Sequence, residues 1–429
     1  MRAGTALLMI TVSSQSSSAG AVPVCASLPT ASCAEKCSTH VAGDLLTALG
    51  AVPDPRPGGA RRHPVAYVLG VLAAAFASAG FESFTSAAQW AAAADPTLLL
   101  ALGAAPDPLT GKVIPPSEAT IRRIATRVDP QALEAVIAGW TAAQMPKVEP
   151  GAGRVAVAVD GKAVRGARAG DRAGDRAAPH LLAAATHERP VVLAQRQVPG
   201  KTNEIPLVPT LLDDLRAAGH EPAAMVFTLD ALHTQHATAR LLEGAGAGYV
   251  MTVKGNQPTL LAAIIDALGT GAAASTRQRS RGHARTQERI LQVAPATGIV
   301  FPGAAQAFRI IRHTGGLDGQ RTRKEVVHGI TNLRAGHADE NQLAALVRGH
   351  WSIENSIHWV RDVTYRQDAS RVRTGNAPAV LAAVRNIVTT VLRLAGAANI
   401  AAARRAAILN PRTAIRLITR TPNPDKGPL

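Results

Sequence analysis

The chain has 429 residues, with 46 lysines and arginines against 30 aspartates and glutamates, and a formal net charge of +16. This length allows two or three domains with a large core, and the charge favours a polyanionic partner, for which nucleic acid is more common than a membrane surface. All three cysteines lie within the first forty residues, which argues against a disulfide-stapled secreted domain.

The N-terminal third is predicted to be helical after an unpatterned start. Residues 1–42 show no helical or strand periodicity, and we expect a disordered extension there. Residues 43–145 are predicted to form a small all-α domain, in which Ser117 is a candidate N-cap for a helix that follows. We expect no membrane span, since the most apolar stretch, residues 65–79, is interpreted as a buried helix.

From residue 155 the pattern changes to alternating strands and helices. The predicted strands cover residues 155–160, 181–186, 191–197, 225–229 and 249–253, and the predicted helices cover 205–218, 234–243 and 258–268. The polar repeat at residues 166–176 is predicted to be a flexible hairpin tip. Three strands joined as a hairpin and meander, followed by βα units, predict an α/β fold with a mixed sheet flanked by helices.

The last part of the chain breaks this rhythm. A β-rich insertion is predicted at about residues 277–335, with strands at 289–293, 307–312 and 325–330. Residues 341–360 then carry apolar side chains at helical spacing, and a further pair of helices is expected from 377 to about 418. These elements define a predicted catalytic domain at residues 150–420, followed by a tail at 421–429.

Three acidic residues stand where a sheet edge would bring them together. Asp160 and Asp230 each end an apolar strand, and Glu354 lies on the flank of the apolar stripe of a helix. Carboxylates held at such an edge repel one another unless a cation lies between them, and Mg²⁺ or Mn²⁺ prefers oxygen ligands. We therefore predict a catalytic metal site. The alternative for each aspartate is a helix cap or loop acid, and for Glu354 an ion pair with Arg348 or Arg361.

Basic side chains surround the three acids in the sequence. The candidates for DNA binding are Lys162, Arg165, Lys254, Arg361, Arg366, Arg371 and Arg373. Arginine can bind phosphate oxygens with two hydrogen bonds and lysine acts as a point charge, although a solvated basic face is an alternative. Aromatic residues are only 3% of the chain, so contact with a duplex backbone fits better than a stacking surface for single strands as the main binding device. Together these features predict metal-assisted phosphodiester chemistry on nucleic acid.

A zinc hydrolase is a rival interpretation of the same helix. His350, Glu354 and His358 recur every four residues and lie along one helical stripe. Two histidines on one face can hold Zn²⁺ with a glutamate as base, but the spacing differs from the usual HExxH pattern.

Six ordered segments of the chain resemble the ISAs1 family of bacterial insertion-sequence transposases, within the wider IS4-like DDE group. They are DPR at 54–56 with RHP at 62–64, PSEATIRR at 116–123, VDGKAVRG at 159–166, TLDALHTQ at 228–235, VKGNQ at 253–257, and HWSIENSIHW at 350–359 with Asp362 and Asp368. The resemblance extends from about residue 45 to residue 417.

The resemblance implies an RNase H-like catalytic domain with a β insertion, preceded by the family's associated N-terminal domain. The catalytic triad falls on Asp160, Asp230 and Glu354, which would bind two divalent ions, Mg²⁺ or Mn²⁺, about 3.5–4 Å apart. The implied activity is nicking of DNA at the ends of the element and strand transfer into target DNA. A homodimer on double-stranded DNA, in the bacterial cytoplasm at the nucleoid, is also implied.

The chain departs from the broader group at several positions. Val347 and His350 stand where that group has Tyr and Arg, and Arg361 stands where it has Lys. Asp362 and Asp368 are rival carboxylates to Glu354. A catalytically degenerate DNA-binding protein derived from a transposase is therefore an alternative. The N-terminal helices, with Arg122 and Arg123, are expected either to read the terminal repeats or to serve in packing.

Overall fold

The computed structural model describes residues 44–58, 62–146, 153–168, 178–200, 203–270, 274–282, 285–316 and 321–420. The predicted N-terminal extension, the C-terminal tail and most of the predicted hairpin tip lie outside these described residues.

Six helices are described ahead of the sheet. Their bounds are α1 (Leu45–Leu49), α2 (Val65–Ala77), α3 (Phe84–Ala93), α4 (Pro96–Ala101), α5 (Glu118–Arg127) and α6 (Pro130–Gln144). The side chain of Ser117 accepts a hydrogen bond from the Thr120 N–H, as its N-cap position predicts. Asp129 caps α6 in the same way, and a proline fills the first turn, where no N–H is needed.

The described strands form one mixed sheet. Their bounds are β1 (Val155–Ala163), β2 (His180–Thr186), β3 (Val192–Val198), β4 (Met225–Leu229), β5 (Gly248–Val253), β6 (Ala274–Gly282), β7 (Arg285–Pro295), β8 (Gln306–Gly315) and β9 (Arg321–Thr331). The strand order is β3-β2-β1-β4-β5-β9-β8-β7-β6. β1 is antiparallel to β2 and parallel to β4, and β5 is parallel to β4. The predicted mixed α/β fold is confirmed.

The β-rich region extends the main sheet. β9 pairs antiparallel with β5, and β8, β7 and β6 follow as antiparallel neighbours. Three strands were predicted here, and the described residues form four. β6 was missed because its side chains are mostly polar and exposed, as befits a strand at the edge of a sheet.

Helices cover both faces of the sheet. Their bounds are α7 (Val208–Ala217), α8 (His236–Gly244), α9 (Pro258–Thr270) and α10 (Glu340–Gly349). Side chains of α7, α8 and α9 share one apolar cluster with β1–β5, whereas α10 packs on the opposite face through Leu343, Leu346 and Val347.

The helix predicted at residues 341–360 changes character halfway. α10 ends at Gly349, and the chain continues as a wider helix with i→i+5 hydrogen bonds over Ile353–His358 and Val360–Thr364. Such π-helical turns are rare and are frequently found at functional sites. This one carries Glu354.

Three further helices close the chain: α11 (Ala377–Leu394), α12 (Ile400–Leu409) and α13 (Pro411–Thr419). They share one apolar core with α1–α6, although more than 200 residues separate α6 from α11. In the described part of the chain, α11 alone is long and apolar enough to cross a membrane, and it lies wholly within the protein interior.

Candidate functional site

Two predicted acids lie side by side at one edge of the sheet. β1 and β4 are parallel neighbours whose last residue pair is Val159 with Leu229. Asp160 follows Val159 and Asp230 follows Leu229, so both aspartates lie at the carboxyl end of β4. This is the arrangement that the sequence predicted for them.

The π-helical segment brings Glu354 to the same edge. Ala158 of β1 packs against Ile353 and Ile357. Because side chains alternate along a strand, Asp160 lies on the same face of the sheet as Ala158 and faces the segment that carries Glu354.

His358 connects two of the acids. Its Nδ1 lies 2.8 Å from Glu354 Oε2 and 3.5 Å from Asp160 Oδ2. The imidazole is only 2% exposed, and its Nε2 has no hydrogen-bond partner among the described residues. The sequence placed His358 in the alternative zinc site, not beside Asp160.

Ligand atoms of Asp160, Glu354 and His358 all lie within 4.8 Å of one another. Two carboxylate oxygens and an imidazole nitrogen are donors that divalent cations accept. The carboxylate of Asp230 lies outside this group. Its Oδ1 accepts hydrogen bonds from the backbone N–H groups of Leu232 and His233. The structure thus groups two predicted acids with a histidine and places the third acid on the adjacent strand.

The charges of the site fit a bound cation. The pKa of Asp160 is raised to about 6, chiefly by burial and also by the negative charges of Glu204 and Asp230, while the charge of His358 and a hydrogen bond from the backbone of Gly161 act in the opposite direction. The hydrogen bond from His358 lowers the pKa of Glu354. Asp160 is therefore the carboxylate that a cation would stabilise most in its ionised form.

Glu204 is a fourth acid at this site that sequence reasoning missed. It follows β3, which runs in the same direction as β1 and ends at the same edge of the sheet. Its two carboxylate oxygens accept hydrogen bonds from His180 Nε2 at 2.5 Å and from His233 Nε2 at 3.0 Å. Although burial opposes ionisation, these two bonds lower the pKa of Glu204 to about 2. The available signal was its place after a predicted strand, but an acid just before a helix also resembles an ordinary cap.

The alternative zinc trio does not assemble in the described structure. His350 Nδ1 lies 3.1 Å from Thr228 Oγ1, which also contacts His187 Nε2 at 2.9 Å. Burial lowers the pKa of His350. Its nitrogens are not in the ligand group of Asp160, Glu354 and His358.

Most of the predicted basic residues are exposed. Lys254, Arg165, Arg366, Arg371 and Arg373 all lie at the surface. Three of them, Arg165, Arg371 and Arg373, line a cleft of about 590 Å³. A neighbouring cleft of about 710 Å³ adds Arg366 and Arg122. Arg366 also has a left-handed backbone (φ 50°), which is uncommon outside glycine.

Arg361 is in the protein interior, so the prediction that it contacts DNA is wrong. Its side chain is 1% exposed, and its guanidinium donates to Gln367 Oε1 at 3.0 Å and to Gln195 Oε1 at 3.2 Å. Burial lowers its pKa to about 10. A side chain enclosed in this way cannot reach a phosphate.

Lys162 is also nearly buried, and it is paired with an acid. Its Nζ lies 2.5 Å from Asp362 Oδ2. This ion pair directs Asp362, one of the rival carboxylates, towards Lys162.

Comparison with known proteins identifies two families along the chain. The family described as "Transposase DDE domain" matches residues 151–390, and the family described as "DDE_Tnp_1-associated" matches residues 46–141. The first match covers more than half of the chain.

Individual relatives agree with these matches. The chain is 29% identical over 294 residues to "Putative transposase YncI" of Escherichia coli O157:H7, covering 65% of this chain and 71% of that protein. It is 25% identical over 293 residues to "H repeat-associated putative transposase YhhI" of Escherichia coli K12, covering 65% and 73%. Among solved structures, a piggyBac transposase synaptic complex with hairpin DNA aligns with a TM-score of 0.40 and 10% identity, covering 87% of this chain and 77% of that one. The family match over residues 151–390 shows that the chain belongs to the DDE-domain transposases.

Proposed function

We propose that this DNA transposase is of the ISAs1 type, and that Asp160, Asp230 and Glu354 form its catalytic triad. The observation that carries the proposal is the convergence of Asp160, Glu354 and His358 at the carboxyl end of β4, where Asp230 also lies. The reaction would be cleavage of phosphodiester bonds at the ends of an insertion sequence, followed by strand transfer into target DNA.

The strand order supports an RNase H-like catalytic core. β1, β2 and β3 form an antiparallel meander, and β4 and β5 extend it in parallel on the other side of β1. In this proposal β6–β9 are an insertion between the second and third acids. Helices α1–α6 form the associated N-terminal domain, and residues 150–420 contain the catalytic domain.

Asp160, Asp230 and Glu354 would hold the metal, proposed to be two Mg²⁺ or Mn²⁺ ions, with His358 beside them. When bound, such ions lower the pKa of an attacking water or 3′-hydroxyl and stabilise the leaving oxygen. The chain's own residues fix the geometry. His358 holds the Glu354 carboxylate by a hydrogen bond, and two backbone N–H groups orient Asp230. Metal sites depend on neighbouring groups that hold the ligand side chains in a fixed orientation.

The substrate in this proposal is double-stranded DNA, as the terminal repeats of the element and as target. The exposed arginines Arg165, Arg371 and Arg373, which line one cleft, would neutralise phosphates. We propose a homodimer that holds two DNA ends, and action at the nucleoid of a bacterial cytoplasm.

A cleavage assay on duplex DNA that carries the element's own ends tests this function. We expect nicking in Mg²⁺ by the wild type, none by Asp160→Asn, and unchanged nicking by Glu188→Asn, because Glu188 is an exposed acid in the turn after β2. A wild-type protein that binds these ends but never nicks them, in Mg²⁺ or Mn²⁺, would instead be a degenerate DNA-binding protein. Stoichiometric zinc in the purified protein would favour the hydrolase.

A further inference from the structure

A third arginine-lined cleft lies along the helical segment that carries Glu354. It has a volume of about 840 Å³ and lies between strands β6–β9 and the segment from α10 to Asn355. We call it the β6–β9 cleft. Its walls include Arg285, Arg289, Arg312, Arg323, Arg348 and Trp351. The sequence analysis assigned DNA binding to other arginines.

Three of these arginines lie close enough for their charges to repel one another. Burial lowers the pKa of Arg289, and the charges of Arg348 and Arg312 lower it further. Arg289 donates to Ser280 Oγ at 3.2 Å, which is a neutral partner. Arg348 is exposed and forms no ion pair within the described residues, while Arg312 lies 3.7 Å from a single carboxylate, that of Glu325. Like charges held together at a surface favour an anionic ligand.

The cleft also exposes an aromatic ring. Trp351 is 49% exposed, and the guanidinium of Arg312 lies 5.4 Å from the centre of its ring. Asn355, one helical turn further on, lines the same cleft. Asn355 directly follows Glu354, so the same helical segment contributes to the cleft and to the cluster of acids.

We propose that the β6–β9 cleft binds a short single-stranded segment of DNA beside the catalytic acids. In this arrangement phosphates contact Arg289, Arg312 and Arg348, and a base packs on Trp351. A positive groove with an aromatic surface is the usual device for binding single strands. The cleft volume of about 840 Å³ is within the range of small-molecule pockets. A duplex, whose major groove alone is about 12 Å wide, is too large to enter it. The inference rests on the proposed function, because strand cleavage is what would supply such a segment.

The test is binding of a fluorescent oligothymidylate of about twelve nucleotides, measured by anisotropy in EDTA so that no cleavage occurs. Trp351→Ala should weaken binding about tenfold, and Trp351→Phe should retain most of it. Trp359→Ala is the matched control, since Trp359 is 52% exposed on the same helix but does not line the cleft. Equal affinities of the two alanine variants would overturn the proposal.

Salt dependence tests the phosphate contacts separately. Arg348→Ala should reduce the slope of log K against log salt by about 0.7 for the single strand. Arg240→Ala, an exposed arginine on α8, should leave the slope unchanged. An unchanged slope for Arg348→Ala would contradict the assignment, and so would an equal loss of affinity for duplex DNA in Trp351→Ala.

The outcome is distinguishable from failure of the proposed function. A wild type that binds oligothymidylate through Trp351 but never nicks element ends would keep this inference and reject the proposed activity. Nicking of element ends without Trp351-dependent binding would do the reverse.

Discussion

Replacing Gly161 with alanine should force the carboxylate of Glu204 out of the site. A Cβ at position 161 would lie 2.5 Å from Glu204 Oε2 and closer still to Oε1 and Cδ, whereas ordinary contacts begin at 3.4 Å. The backbone of Gly161 has no positive φ, so alanine itself is free to adopt it. The cost is therefore steric, and it falls on a carboxylate that His180 and His233 hold from both sides.

We expect Gly161→Ala to lower the free energy of unfolding by about 1–3 kcal/mol, the usual range for overpacking. The measurement is urea denaturation followed by tryptophan fluorescence. Glu204→Ala removes the obstacle, so adding Gly161→Ala to that variant should cost less than about 0.5 kcal/mol. Gly139→Ala is the control, because a Cβ there meets no atom within 4 Å and helical alanine is favoured over glycine.

The refuting results are specific. If Gly161→Ala unfolds with the same free energy as the wild type, Glu204 is not held where the structure places it. If the effects of Gly161→Ala and Glu204→Ala on the free energy of unfolding simply add, contact between the new Cβ and Glu204 is not the cause of the destabilisation. Nicking offers a second measurement, because displacement of Glu204 also releases His233, whose backbone N–H orients Asp230.

Three further predictions concern the acid, the pH dependence and the salt dependence. Glu354→Gln should abolish nicking and leave DNA affinity within about twofold of the wild type in a gel-shift assay; full activity would remove Glu354 from the triad. Burial raises the pKa of Glu134 from 4.5 to about 8, so its protonated form favours folding, and this contribution is lost as pH rises from 4.5 through 8. Relative to Glu134→Gln, the wild type should then lose at most about 1.4 kcal/mol of unfolding free energy per pH unit across that window; a pH-independent difference would contradict the assignment. Arg373→Ala should reduce the slope of log K against log salt by about 0.9 on duplex DNA, with Arg240→Ala unchanged, and an unaltered slope would mean that Arg373 contacts no phosphate.

The edge of the sheet that carries Asp160 and Asp230 could be predicted because its strands are short, apolar and bounded by polar residues. The predicted strand at residues 225–229 matches β4, and Asp230 follows it as expected. β1 was predicted to end at Asp160 but continues to Ala163, since Gly161 and Lys162 still pair with β2. A strand that crosses from an apolar into a polar segment loses the signal on which the prediction depends.

Partners of the acids could not be predicted, because they depend on contacts between distant segments. His358 reaches Asp160 from the helical segment packed on one face of the sheet, and Glu204 reaches the site from the loop after β3. The π-helical geometry after Gly349 also departs from the 3.6-residue period by which the helix was recognised. The prediction that Arg361 binds DNA failed for a related reason. A charged residue is expected in solvent, and its burial beside Gln195 and Gln367 has no counterpart in local sequence.

The most direct test of the central claim is anomalous scattering from crystals of the wild-type protein grown with Mn²⁺. The account predicts manganese density among the carboxylates of Asp160, Asp230 and Glu354, and loss of that density in Asp160→Asn. Density that appears instead at Asp362 or Asp368, or none near Asp160 at saturating Mn²⁺, would contradict it.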